Sequence, residues 1–369
     1  MFPIRSRFLA LLKLSARRFS ATQSCCILLA IFAMSGCSKS TENSKSKTQG
    51  TPEKPAKPSL SKDKNGKIFE ATFYKRVSAK SISALKEHKT LHAITIMECE
   101  SVDADSMKAL SELPALTDLS INNCPIGDDD LVHLNGLTNL KQLTLGNTNI
   151  SGKGLADLSA LINLESLTLA GQTLKFDDLD AIKVHNNLMR LEIGWDDQRI
   201  TQLKALTQLP KLKSLIFSRV ILEDQSLAKL PDLPSLNEFR LDASELSDKE
   251  VSHIAKLSAL QILSIQQAKI TDVGFEKIAS LKQLQILLLT DCAEISNESM
   301  KHLAKLSELK RLDLAGCKVQ GQIFLALAAN KKLEKLSVLQ GQMSEAIANQ
   351  LKNHLPNCEI VRIDPGPGG

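Results

Sequence analysis

Large rings are almost missing from this sequence: its 369 residues include one Trp, Trp195, and one Tyr, Tyr74. Apolar residues still make up 43%, so the interior has to be built from Leu, Ile and Ala, which favours a regular, layered core. The body also lacks an excess of charge of either sign. Arg5, Arg7, Lys13, Arg17 and Arg18, with no acid among them, account for the whole formal charge of +5 within residues 1–36. Residues 38–67 carry eight Lys against Glu42, Glu53 and Asp63, so the remainder of the chain is negative by five. That balance excludes a basic footprint for nucleic acid over the main body. No long apolar run is present either. The longest, CCILLAIFAM at 25–34, has ten residues, whereas a helix crossing the hydrocarbon layer needs about 20.

Catalytic signatures are missing as well. There is no phosphate-cradling glycine loop, nucleophile elbow or zinc-ligand spacing. His133, His253 and His302 fall at one phase of the pattern described below, but in repeats that are not neighbours, so they cannot share a metal. No cofactor and no catalysis are expected.

What is present at the start is an export signal: a basic opening, the apolar run, then small residues. Met34-Ser35-Gly36-Cys37 resembles the lipobox of bacterial lipoproteins, with Met34 where that family usually has Leu. The resemblance implies that residues 1–36 are cleaved, that Cys37 receives a diacylglyceryl thioether and then an N-acyl chain, and that the protein is held on a bacterial membrane facing the periplasm or cell surface. Ser38 in place of Asp implies, by analogy with enterobacterial sorting, the outer membrane. A soluble exported protein cut nearby is the other reading, and Arg17-Arg18 fits a twin-arginine signal poorly. Residues 37–67 are rich in Lys, Ser and Pro, with Leu60 the single large apolar residue. Such composition cannot bury enough surface to fold, which predicts a disordered linker spanning about 30 Å on average.

From Leu91 the template L-x-x-L-x-L recurs, with Ile, Val or Phe allowed. It starts at Leu91, Leu116, Leu140, Leu164, Leu188, Leu212, Leu236, Leu260, Leu284, Leu309, Leu333 and Cys358, always 24 or 25 residues apart. The fourth and sixth positions, such as Leu143 and Leu145, are two apart and point the same way on a strand. Later apolar residues such as Phe275, Ile278 and Leu281 recur every three, which suits a helix face. Each unit is therefore a strand, a turn and a short helix that can cover its core only by stacking on its neighbours. At about 4.8 Å per strand, twelve strands extend about 55 Å.

This pattern resembles leucine-rich repeats. The small-residue column Cys99, Cys124, Thr148, Ser244, Ala268, Cys292, Cys317 resembles their cysteine-containing subclass, known from F-box proteins, although Val220 and Gly341 interrupt it. The resemblance implies an α/β right-handed solenoid, or horseshoe, of 11–12 repeats over 91–363, with a parallel concave sheet and convex helices. Residues 68–90 are then an N-terminal cap and 364–369 a flexible tail. Cys99 with Cys124, and Cys292 with Cys317, come side by side in adjacent repeats. A disulfide is possible outside the cytoplasm, but parallel Cβ vectors disfavour it, and stacked free thiols are expected.

On this template the concave face carries Arg190, Glu192, Trp195, Ser214, Ile216, Arg219, Glu238, Arg240 and Asp242 across three central repeats, then Ile262, Ile286 and Leu288. Trp and Arg are enriched in binding hot spots, and apolar residues there serve nothing in the fold itself. A protein or peptide partner is the expected ligand, without nucleic acid. Two other readings stay open at this stage, charges paired among themselves on solvated strands, and a structural or self-associating envelope protein. An F-box-like ubiquitin-ligase adaptor or effector is implied by the repeat subclass alone, and neither an F-box nor a cytosolic route is visible.

Overall fold

The computed structural model describes residues 57–364 apart from 172–173, 175, 201–202, 223–225 and 243–245; of the side chains of 176–177 and 195–200 nothing is stated. The leader, Cys37 and most of the linker lie outside these residues. The described fold falls within one compact unit, Pro55–Ile363.

Each repeat contributes one strand. In order they are β1 (Ser59–Lys62), β2 (Ile68–Tyr74), β3 (Ala93–Met97), β4 (Asp118–Asn122), β5 (Gln142–Gly146), β6 (Ser166–Ala170) and β7 (Arg190–Ile200). They continue as β8 (Ser214–Leu222), β9 (Glu238–Asp242), β10 (Ile262–Gln266), β11 (Ile286–Thr290), β12 (Arg311–Asp313), β13 (Lys335–Leu339) and β14 (Glu359–Ile363). All fourteen form one sheet in sequence order, parallel from β2 onward, with β1 antiparallel on β2. The leucine column runs in register through Leu119, Leu143, Leu167, Leu191, Leu215, Phe239, Leu263, Leu287, Leu312 and Leu336, every one buried. Phe239 stands in this column and Phe217 in the second inward column, between Ile193 and Leu241, and their rings meet edge-on at 5.9 Å between centroids. This is the open, mostly parallel solenoid sheet that the periodicity predicts.

Four details differ from expectation. The linker was expected to run to Lys67, yet the chain is structured from Ser59, because Asp63 Oδ1 accepts the Asn65 and Lys67 N–H groups (2.8 and 2.9 Å) and closes a β1–β2 hairpin. The 68–90 segment holds a full repeat strand: β2 pairs in parallel with β3, Thr72 beside Thr95, and Phe73 is buried. The covering role at this end falls to β1. Several expected helices are 3₁₀ turns, such as Asn297–Lys305 and Gly321–Ala329. A spacing of three suits that geometry, since i and i+3 eclipse and Met300, Leu303 and Leu306 all reach the core. Finally, β13 pairs Ser337 with Val361 and not with Arg362, as the template had it. Cys358 keeps the place of the earlier ladder leucines, its N–H donating to the Leu355 carbonyl (3.0 Å) as the Leu333 N–H does to Asn330 (2.9 Å), so the one-residue slip lies in the strand pairing that follows it.

The turn motif has a repeat-to-repeat role. An Asp at the start of one helix bonds the Ser or Thr that caps the next: Asp128 accepts from Ser151 N–H (2.7 Å), Asp248 from Thr271 N–H and hydroxyl (2.8 and 2.6 Å), and Asp272 from Ser296 N–H and hydroxyl (2.8 and 2.6 Å). Gly274 follows because a Cβ there would sit 2.3 Å from Asp248 Oδ1. Burial pushes the Asp128 and Asp272 carboxyls up, but the serine hydroxyl and N–H bonds outweigh it and hold both below the ordinary carboxylate range. A depressed folded value gives stability that is complete above the unfolded pKa of about 3.9 and is lost as pH falls below it. Asp272→Asn is therefore expected to be less stable than the wild type at neutral pH, with the gap closing in acid. Urea unfolding at a series of pH values checks this; a gap that stays constant down to acid pH contradicts it.

Candidate functional site

Alternation along the strands separates two faces. Leu263, Ile265, Leu287, Leu289 and Leu312 enter the core, so Ile262, Ser264, Ile286, Leu288, Arg311 and Asp313 occupy the opposite, open face of the sheet. Two rows cross that face. One is Arg190, Ser214, Glu238, Ile262, Ile286, Arg311; the other is Glu192, Ile216, Arg240, Ser264, Leu288, Asp313.

The charged residues expected to meet a partner are largely engaged with one another. Arg190 Nη2 bonds Glu192 Oε2 at 3.0 Å, and Arg190 Nη1 donates to Ser214 Oγ (3.2 Å) and lies 3.6 Å from Glu238 Oε2. Ser214 in turn donates to Glu238 Oε2 (2.7 Å), while Arg240 Nε holds Glu238 Oε1 at 2.5 Å. Glu238, with 15% of its side chain exposed, is the hub. Burial opposes its charge, and Arg240, Ser214 and Arg190 together overcome that and hold its carboxyl low. The paired network, left open on sequence grounds, is present here. Such a network fixes the geometry of Arg190 and Arg240 without using up their remaining donors.

Ile216 departs from expectation: it is only 7% exposed, set between Glu192 and Arg240 in the register. Arg219 is exposed and takes a left-handed backbone, φ 57°. Asp242 is half-buried, and desolvation raises its carboxyl while Arg219 partly offsets that. The Trp195 side chain lies outside the described residues. Ile262, Ile286 and Leu288 are half-buried on the open face, side by side across β10 and β11. Arg311 was not singled out from the sequence; its signal was its place in the row that begins at Arg190.

Cys99, Cys124, Cys292, Cys317 and Cys358 are free and buried, so the adjacent pairs stand as stacked thiols. Cys99 N–H donates to Cys124 Sγ (3.4 Å), and Cys317 Sγ donates to the Leu289 carbonyl (3.2 Å). Burial pushes the Cys292 thiol up to about 11, away from the thiolate a nucleophile needs.

No protein-family model matches the chain, and no curated protein is similar to it in sequence. In structure it is similar to an internalin (inlF) from Listeria monocytogenes, 23% identical over 80% of this chain and 86% of that one, with a TM-score of 0.54. It is equally similar to the yeast Rad7 and Elc1 complex, at 17% identity, covering 80% of this chain and 81% of the other, with a TM-score of 0.54. With the register above, these likenesses define the class: a leucine-rich-repeat solenoid.

Proposed function

We propose that this chain is a non-catalytic binding module, exported and held on a bacterial membrane by lipid on Cys37, which grips a protein or peptide partner on the open face of its sheet. The observation that carries the reading is that face itself. Across five successive strands it presents fixed arginines beside half-buried Ile262, Ile286 and Leu288, while the helices occupy the other side. Solenoids bind through such extended surfaces, and Rad7, similar in fold, forms a complex with Elc1. Gly36-Cys37 and the Lys/Ser/Pro stretch after it support the tether and its spacing from the membrane.

The test is site-specific photo-crosslinking in the native cell, with the reactive group at position 262 or 286 on the sheet and at 277 on the helical side. Crosslinks to a second protein from the sheet positions alone are expected. Crosslinks from 277 alone, or from none of the three, reject the binding face. A sheet-derived product of twice the chain's mass points to self-association instead.

A further inference from the structure

Among the described residues of the open face, the arginines and lysine from β7 to β13 mostly have carboxylate partners, and Arg311 has none. Lys335, beside it on β13, pairs with Glu359 at 2.9 Å, and Arg240 is engaged by Glu238. Arg311 Nε is shielded from solvent and has no hydrogen-bond partner. Asp313, two residues on, feels its charge without bonding it, and instead accepts the Ala315 N–H (3.0 Å) and the Ser337 hydroxyl. A shielded guanidinium N–H without an acceptor costs free energy that a carboxylate in place would recover.

The neighbourhood says what else that ligand carries. Arg311 lies directly beside Ile286 in the register, Ile286 beside Ile262, and Leu288 is two residues along from Ile286 on the same face. Apolar contact and one unanswered positive charge therefore meet within about two strand spacings, about 10 Å. We infer that Ile262, Ile286, Leu288 and Arg311 form a docking site for an extended protein segment that presents a carboxylate beside a large apolar side chain. This rests on the binding role proposed above and specifies its partner. In an extended ligand, residues i and i+2 share a face about 6.6 Å apart. The motif expected is thus an apolar residue and an Asp or Glu two positions away, the apolar group on the isoleucines and the acid on Arg311.

The probe is an array of synthetic peptides Ser-Gly-Xaa-Ser-Zaa-Gly-Ser, with Xaa as Leu or Ser and Zaa as Asp, Asn or Lys, incubated with the full chain. The Leu/Asp peptide is expected to bind at least about tenfold better than the Leu/Asn, Leu/Lys and Ser/Asp forms, the scale of one charge-assisted hydrogen bond. Arg311→Gln is expected to erase the Asp preference, and Arg311→Lys to restore part of it as a point charge. Should Arg311→Gln fail to fold, Ile286→Ser supplies a second variant, expected to lose the Leu preference while keeping the Asp one. Equal binding to Asp and Asn probes, an Asp preference unchanged in Arg311→Gln, or no signal from any peptide overturns the inference. Absence of array binding with crosslinks from position 262 intact overturns the acidic–apolar ligand alone and leaves the binding face standing.

Discussion

Replacing Cys37 with Ser is expected to move this protein from the membrane pellet to the soluble fraction. The thioether needs a sulfur nucleophile, and a serine hydroxyl at the same position cannot supply it. Each buried methylene contributes about 0.8 kcal/mol, yet a single acyl chain binds only reversibly; two or three anchor stably. Loss of the attachment point therefore removes all of the anchoring at once, and the Lys-rich linker adds at most a salt-sensitive attraction. Fractionation in high salt with immunodetection reads the effect. A Cys37→Ser protein that still pellets like the wild type, in salt, refutes the lipid anchor.

Leu287→Ala is expected to cost about 2–5 kcal/mol of stability, the range for removing a fully buried leucine and leaving a cavity. Leu287 has no exposed surface and packs in register between Leu263 and Leu312. Small neighbours to refill the space are missing, because the column on both sides is already leucine. Since repeats are held by neighbour contacts, the loss is also expected to loosen coupling across β10 to β12, broadening the denaturant transition as well as shifting it. Circular dichroism during urea unfolding measures both.

The solenoid was legible because strand alternation and repeat period act together: an inward leucine at one strand fixes the next 24 or 25 residues later. What the period could not convey was local. Nothing in SLSKDKNGK's composition announces a strand, since the hairpin depends on one Asp63 carboxylate turning the chain. The slip at β14 is a change of pairing between two neighbouring strands, with Ser337 beside Val361, and a count of spacings does not carry it. Within the candidate site, sequence placed Arg190, Glu192, Glu238 and Arg240 on one face but left open whether they meet a partner or pair with one another. Arg190 and Glu238 stand two strands apart in one row with Ser214 between them, so the hydroxyl bridges them; that pairing needs register as well as composition. Ile216 was taken as available, and the structure buries it. Arg311 matters for the opposite reason, because no acid stands beside it in its row or bonds to it from the next.

The claim on which the rest depends is that alternate residues of each strand serve two purposes, stability on the inner side and binding on the outer. Leu287 and its neighbour Leu288 separate them most directly when each is changed to Ala and measured for unfolding and for capture of the partner crosslinked through position 262. Leu287→Ala is expected to lose stability as above and to retain capture while folded. Leu288→Ala is expected to lose less than about 1 kcal/mol and to reduce capture about fivefold or more, as a binding contact does. Equal destabilisation by the two substitutions, with capture unchanged in Leu288→Ala, would contradict the account.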